Sequence, residues 1–594
     1  MRCIRRLFPL LFLPALASAQ APHLTGRAVV APAEGLLEAD LCLSRFSERD
    51  EVRFLLSAAM NIRVVTDSVG RPLPYRGEYD GRLVGEAREY VVEVPDDARP
   101  LRRLCVSYRG AVPPFDRNDA TFDWKGRVTS VGGVLRASEQ SAWYPTLFDS
   151  TTGGAVRSMS YGLDIECPEC AGIYLNGSRP VAGVAGRFAS ATPRGVLLLA
   201  GEVGFLETEG LSFVGGPAGP AAVRGFAQGV GEIAGYYEEV MGLPYRERPT
   251  FLTFRSVWSE RPDGVPMWQF VTWPTIAMSG GVAFDSVLVD EGRGPTLPLS
   301  LWTTLSHEMA HYYFGTVLEP VGPLRWFAIE SAAEYLSLKA VAALKGPAAG
   351  WARAIEVAQG MGTTTLPSLD RILEPGEITG TYRYNYAPAF LLALEARVGA
   401  APVLAMLHNL ARTPAGARID FARLADAAEQ GGLPRAALIE RWDAGAIRGA
   451  IAAQAAMALP GSLERPETVG FGIRIASALL NVDTTVTGRL QVLGALRSLL
   501  TRDSQNLPAL YQIGKAGALT GRETAVARAA LETYLRFPAP SGAPSHAGAH
   551  WRLGQIAEHD GELDRARSAY RASLDLDPRY GPARDALARL GGSP

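Results

Sequence analysis

The sequence predicts a multidomain α+β protein: an antiparallel β-sandwich, then a mixed region built around a metal-binding helix, then an all-α region. Three observations predict it. From about Ala21 to Ala200, short apolar–polar alternations are separated by Gly, Pro, Asp and Ser, the pattern of half-buried strands. After Pro220 the apolar spacing changes to three and four residues, the period of an amphipathic helix. Towards the C-terminus, small and aromatic residues recur at the spacings of a 34-residue helix–turn–helix unit. A chain of 594 residues exceeds what one core supports. A formal net charge of −2 provides no basic field for nucleic acid.

In chain order, Arg2, Arg5 and Arg6 precede the apolar run Leu7 to Leu16, and Ala17-Ser18-Ala19 follows. This reads as a signal peptide over residues 1–19. The run is too short to span a bilayer, and no later run of about 20 apolar residues exists. No cysteine follows the cleavage site to carry a lipid. The expectation is an exported protein, periplasmic or extracellular, without a transmembrane segment.

Cys3 leaves with the signal, and Cys42, Cys105, Cys167 and Cys170 remain. An even number suits an oxidising compartment. Three pairings are possible. The favoured one joins Cys42 to Cys105 between two strands and Cys167 to Cys170 across the turn Cys-Pro-Glu-Cys. Half of a zinc-ribbon site is the rival reading of that turn, but no second C-x-x-C exists.

Strands are expected at Leu36–Leu43, Glu51–Leu56, Asn61–Val65, Tyr90–Val94, Arg102–Tyr108, Val196–Leu199 and Leu211–Val214, giving a β domain over residues 20–214. Asn176-Gly177 suits a type I′ hairpin turn, which explains the Asn176-Gly177-Ser178 sequon better than glycosylation does. Gly215 to Pro220 reads as a linker. Helices follow at Ala222–Met241, Leu299–Gly315, Trp326–Lys339, Tyr384–Arg397, Val403–Arg412, Phe421–Gln430 and Pro434–Trp442. Phe251–Phe254 and Val282–Val289 read as strands. A catalytic domain is placed at 221–412, a helical domain at 413–485 and the repeats at 486–594. The repeats resemble tetratricopeptide units, with Ile513-Gly514, Gly521, Ala527 and Leu531 in one and Leu553-Gly554, Gly561, Ala566, Tyr570 and Pro578 in the next.

The chemistry lies in Leu301 to Leu338. His307, Glu308 and His311 form H-E-x-x-H, and eighteen residues separate His311 from Glu330. On a helix, positions i and i+4 share a face, so His307 and His311 can grip one ion. Glu308 lies about 100° round the helix, within reach of a metal-bound water without being a ligand. Two imidazoles, one carboxylate and an open fourth position describe a catalytic zinc site, and ligand type favours zinc among divalent ions. Glu334, one turn beyond Glu330, can orient a histidine; a solvated helix carboxylate is the alternative.

The stretches His307 to Gly315 (HEMAHYYFG) and Glu330 to Leu336 (ESAAEYL) resemble the M1 metallopeptidase family, the gluzincin aminopeptidases. Tyr236 to Tyr245 looks like the family's helix entering its catalytic domain, and Ala436 to Trp442 like part of its helical C-terminal region. The resemblance covers roughly Leu24 to Trp442. It implies a saddle-shaped N-domain, a thermolysin-like catalytic domain, one zinc ion and peptide hydrolysis with Glu308 as general base. The stretch Tyr384 to Leu391 matches the segment holding the family's oxyanion-stabilising tyrosine. That role goes to Tyr384, with Tyr382 and Tyr386 as rivals.

One departure stands out. The family's G-x-M-E-N carries a glutamate for the substrate's free amine. Gly280-Gly281-Val282-Ala283-Phe284-Asp285 is the matching stretch, and Ala283 takes the glutamate's place. A methyl group cannot pair with an ammonium. Asp285 could substitute, and the Gly280-Gly281 backbone could pair with an extended peptide. Aminopeptidase specificity is therefore in question. The alternative is a weakened scaffold that binds peptide, or recruits a protein partner, with its repeats.

Overall fold

The computed structural model describes residues 21–46, 50–79, 87–112, 126–149, 154–208, 210–254, 269–279, 283–290, 295–362, 366–440, 443–483, 485–540 and 543–591. The segment expected to be a signal peptide, Gly280, Gly281 and Trp442 lie outside the described residues. Two compact units are present. One runs to Ala227 and includes Glu247–Thr296; the other joins Gln228–Arg246 to the chain from Leu297 onward.

The first unit is built from β-sheets. Its largest has six strands in the order Ala185–Gly195, Ser158–Glu166, His23–Ala31, Leu36–Ser44, Arg103–Ala111, Met60–Thr66. Alternation drives it: Leu37, Ala39, Leu41 and Leu43 are buried and point to one face. The expectation of a purely antiparallel sheet fails at His23–Ala31, which runs parallel to Ser158–Glu166. Parallel neighbours need a long connection, and more than a hundred residues of other strands intervene here. Trp143 anchors the core. Its Nε1 donates to the Val196 carbonyl at 2.9 Å, and its own carbonyl accepts from Tyr108 Oη at 2.6 Å. Cys42 and Cys105 face each other in register and are disulfide-bonded, as are Cys167 and Cys170.

Two local expectations are overturned in this unit. The turn at Asn176-Gly177 is not type I′, since only Gly177 adopts a positive φ, +81°. Asn176 is fully buried, donating to the carbonyls of Gly195 and Trp273 and accepting from Thr275 Oγ1. Those bonds hold it in the ordinary backbone region and bury the sequon. Of the strand expected at Val282–Val289, Val282 lies outside the described residues, Phe284–Val287 is a 3₁₀ turn and only Val289 enters a short strand, Val289–Asp290. The Asp285 carboxylate accepts from the backbone N–H groups of Gly219 and Ala222, at the start of helix α1, Pro220–Met241. Phe284 is buried against Phe213 and Phe226.

The second unit is helical. Helix α2, Leu299–Ala310, is held by hydroxyls from neighbouring segments. Tyr237 of α1 donates to the Ser306 carbonyl at 2.7 Å, Tyr245 to Met309 at 3.0 Å and Ser337 to Thr303 at 2.9 Å. The helix ends at Ala310 rather than Gly315. Tyr313 and Phe314 both donate to the Ala310 carbonyl, and the chain turns back at Gly315, φ +144°. Helix α3, Ala332–Leu344, packs against it, and α4, Pro347–Gln359, and α5, Ala387–Val398, pack on α3 in turn. The hairpins Leu507–Thr520/Thr524–Tyr534 and His546–His559/Leu563–Leu576 follow later. Small residues let each hairpin close: a Cβ on Gly514 would meet Leu531 Cγ at 2.2 Å, and one on Gly554 would meet Tyr570 at 2.3 Å.

The two disulfides close loops of very different length, with separations of 63 and 3 residues. Loop-closure entropy then assigns on the order of 4 kcal/mol to the first and about 1.5 kcal/mol to the second. Thermal unfolding of a Cys42→Ser/Cys105→Ser protein should accordingly show a much larger drop in midpoint than that of Cys167→Ser/Cys170→Ser. Equal drops would contradict the loop argument.

Candidate metal centre

The centre lies entirely within the second unit. His307 and Glu308 sit in the last turn of α2, and His311 caps its end while keeping helical backbone angles, φ −63° and ψ −12°. The i, i+4 relation therefore survives the early end of the helix. The Nε2 atoms of His307 and His311 lie 3.4 and 3.6 Å from Glu330 Oε2. One ligand atom from each of the three residues falls within 4.8 Å of the others, so the set could hold a metal ion.

The other ring nitrogens are occupied. His311 Nδ1 lies 3.1 Å from the Phe314 carbonyl, which can only accept, so this nitrogen carries the proton. His307 Nδ1 lies 2.8 Å from Glu334 Oε2. With Nδ1 engaged on each ring, Nε2 is the nitrogen left facing the shared space, and its deprotonated form is the one that binds metal.

Charge in this pocket is lopsided. Glu308 and Glu334 are buried beside the two histidines, and Glu330 is largely so. Burial alone would raise the Glu330 carboxyl, but His311, His307 and the Tyr384 hydroxyl bring it down to about 2. Burial likewise opposes Glu334, which His307 and Arg353 hold below the usual carboxylate range. His307 shows the mirror effect. Burial disfavours its cation, yet Glu330, Glu334 and Glu308 push it well above its ordinary value. Three carboxylates around two imidazoles favour positive charge at their centre, and the donor set fits a divalent ion with nitrogen and oxygen preference.

Arg353 is the residue that sequence reasoning missed. It comes from α4, a helix not expected, and its Nη2 donates to Glu334 Oε1 at 3.1 Å. Nothing in Trp351-Ala352-Arg353 marks it, because the contact spans nineteen residues and two helices.

Backbone geometry places the remaining groups. Glu330 lies in a π-helical turn, Phe327–Ser331, and Tyr384 in another, Tyr382–Tyr386. Wide turns of this kind re-aim side chains and often sit at functional sites. The Tyr384 ring centroid lies 6.0 Å from that of His307, and its hydroxyl is near enough to Glu330 for each to shift the other's ionisation. Burial and the charge of Glu330 raise this phenol, keeping it protonated. Tyr382 is buried and packs on Tyr386, centroids 5.1 Å apart. Asp285 belongs to the first unit, where it caps α1.

No protein-family model matches the chain, and no curated protein resembles it in sequence. Solved structures do. Leukotriene A4 hydrolase from Saccharomyces cerevisiae is similar over 96% of this chain and 93% of its own, with 13% identity and a TM-score of 0.54. An M1 zinc metallopeptidase mutant from Deinococcus radiodurans, bound to a Tyr-Ser-Ala substrate, is similar over 71% of this chain and 94% of its own, with 17% identity and a TM-score of 0.50. A two-domain M1 zinc metallopeptidase mutant bound to L-tryptophan is similar over 73% and 94%, with 15% identity and a TM-score of 0.51. At these identities the likeness shows the fold, and the fold is that of the M1 zinc metallopeptidases.

Proposed function

We propose that this chain is an exported zinc-dependent metallopeptidase that hydrolyses peptide bonds with Glu308 as general base. The observation that carries the reading is the convergence of His307, His311 and Glu330 on one point, with a further buried carboxylate, Glu308, beside them. His307 and His311 would hold the ion through Nε2, and Glu330 through its carboxylate. A zinc ion there supplies Lewis acidity to the scissile carbonyl and brings the pKa of a bound water towards about 7.

The chain's own residues do the rest. Glu308 accepts the proton of the attacking water and passes it to the leaving amine. Tyr384, a protonated phenol at the centre's edge, donates to the oxygen that gains charge. Glu334 fixes the ring of His307, and Arg353 fixes Glu334. The leader-like first residues and the two disulfides support export. Among the described residues no helix is long and apolar enough to cross a membrane. A peptide substrate is supported by the tripeptide bound to the Deinococcus radiodurans protein. Ala283 offers no carboxylate to a substrate amine, so the proposed activity does not depend on a free N-terminus.

The primary test is Glu308→Gln. Zinc content should stay near one ion per chain while hydrolysis of a peptide library falls by about 10² to 10⁴-fold. A zinc-loaded wild-type protein that cleaves no library peptide would refute the reading. Glu334→Ala should weaken zinc affinity by about 10- to 100-fold in competition with a chelator. N-acetylated peptides should be cut as readily as their free-amine counterparts in a mass-spectrometric digest. Strict need for a free amine would show that some residue other than Ala283 supplies the anchor.

A further inference from the structure

The metal centre has a cation beside it that the hydrolytic steps do not use. Arg383 immediately precedes Tyr384 in the π-helical turn Tyr382–Tyr386. Its Cζ lies 4.1 Å from the centre of the Trp326 ring. Trp326 has helical backbone angles, φ −73° and ψ −27°, and leads into the π turn that carries Glu330. It stands four residues before that ligand, and side chains one helical turn apart have Cβ atoms about 5–6 Å from each other. The Arg383–Trp326 contact therefore joins the two turns that supply Glu330 and Tyr384, next to the imidazole of His307, whose ring centroid is 6.0 Å from that of Tyr384.

The guanidinium is held in place. Its Nε donates to the Ile378 carbonyl at 3.0 Å, and the Arg383 backbone N–H donates to the Thr379 carbonyl at 3.0 Å. The indole beneath it is held too, with Arg325 Cζ 4.4 Å from the same ring centre. Stacking on an aromatic face restrains a guanidinium without consuming its N–H donors.

What is left over is the edge formed by Nη1 and Nη2. Among the described residues Arg383 forms no ion pair, and its only side-chain hydrogen bond uses Nε. The carboxylates of the centre are occupied elsewhere: Glu330 faces both histidines, and Glu334 bonds His307 and Arg353. Arg383 and Trp326 are half-buried and Tyr384 is 41% exposed, so a solute can reach this edge. Two N–H donors on a restrained fork match a carboxylate, which accepts two parallel bonds. An ammonium or an apolar side chain gains nothing there.

We propose that Arg383, held against Trp326, is a specificity-determining residue that binds a carboxylate of the peptide beside the metal centre. The proposal rests on the peptidase reading in taking a peptide as its ligand. Two carboxylates qualify, an Asp or Glu side chain and the free C-terminus, and both meet Nη1 and Nη2 in the same way.

The test uses the full-length, zinc-loaded protein and N-acetylated peptides in matched pairs. One set exchanges Glu for Gln at each position with the C-terminus amidated. The other compares a free C-terminus with its amide in peptides without acidic side chains. Wild-type kcat/KM is read by mass spectrometry, and affinity for the Glu308→Gln protein by anisotropy of labelled peptides. The acidic member of one set should be favoured about 10- to 100-fold, the weight of one charge-assisted contact, and chiefly through KM. The set that shows the preference identifies the carboxylate. Arg383→Gln should erase the preference, and Arg383→Lys, which keeps the charge without the fork, should retain part of it. Cleavage without preference in either set would overturn the proposal and leave the peptidase reading intact. A preference that survives Arg383→Gln, with both members slowed equally, would show a structural role and overturn it as well. Preferential binding to Glu308→Gln without cleavage by the wild type would overturn the peptidase reading and leave this proposal standing; neither binding nor cleavage would overturn both. Should Arg383→Gln not fold, judged by circular dichroism, Trp326→Leu removes the stacking face instead, with the same loss of preference expected.

Discussion

Glu334 is buried, with one carboxylate oxygen 2.8 Å from His307 Nδ1 and the other 3.1 Å from Arg353 Nη2. A carboxylate in such a place needs partners, because an unpaired buried charge costs several kcal/mol. Here the partners are an imidazole that must keep one nitrogen free and an arginine from a separate helix. The pairing fixes the ring of His307 and ties α3 and α4 to α2. The geometry of Glu330 relative to both histidines follows from that tie, since Glu330 lies just before α3.

The two π turns act on the same geometry from the backbone side. Glu330 and Tyr384 both belong to segments that continue into α-helices, α3 and α5. A regular helix would present them at other angles. The wider turn swings each towards the imidazoles, and the Tyr384 ring packs beside that of His307. The hydroxyls of Tyr237, Tyr245 and Ser337 hold α2 itself by its carbonyls. Helix, ligand and phenol are therefore positioned by separate contacts that agree.

What was legible in the sequence was local. His307, Glu308 and His311 could be placed together because one helical turn relates them, and that relation holds even though the helix stops at Ala310. Alternation along Leu36–Ser44 showed a half-buried strand for the same reason, since side-chain direction there depends only on position parity. Tertiary contacts decided the rest. Arg353 reaches Glu334 across two helices, and Asp285 bends an apparent strand into a turn by capping α1. Asn176 spends its side chain on distant carbonyls instead of a type I′ turn. Helix Ala444–Glu464 went unseen because small residues on every face leave no apolar stripe to read. Periodicity reports which face of an element is buried, whereas the identity of what covers it depends on segments remote in the chain.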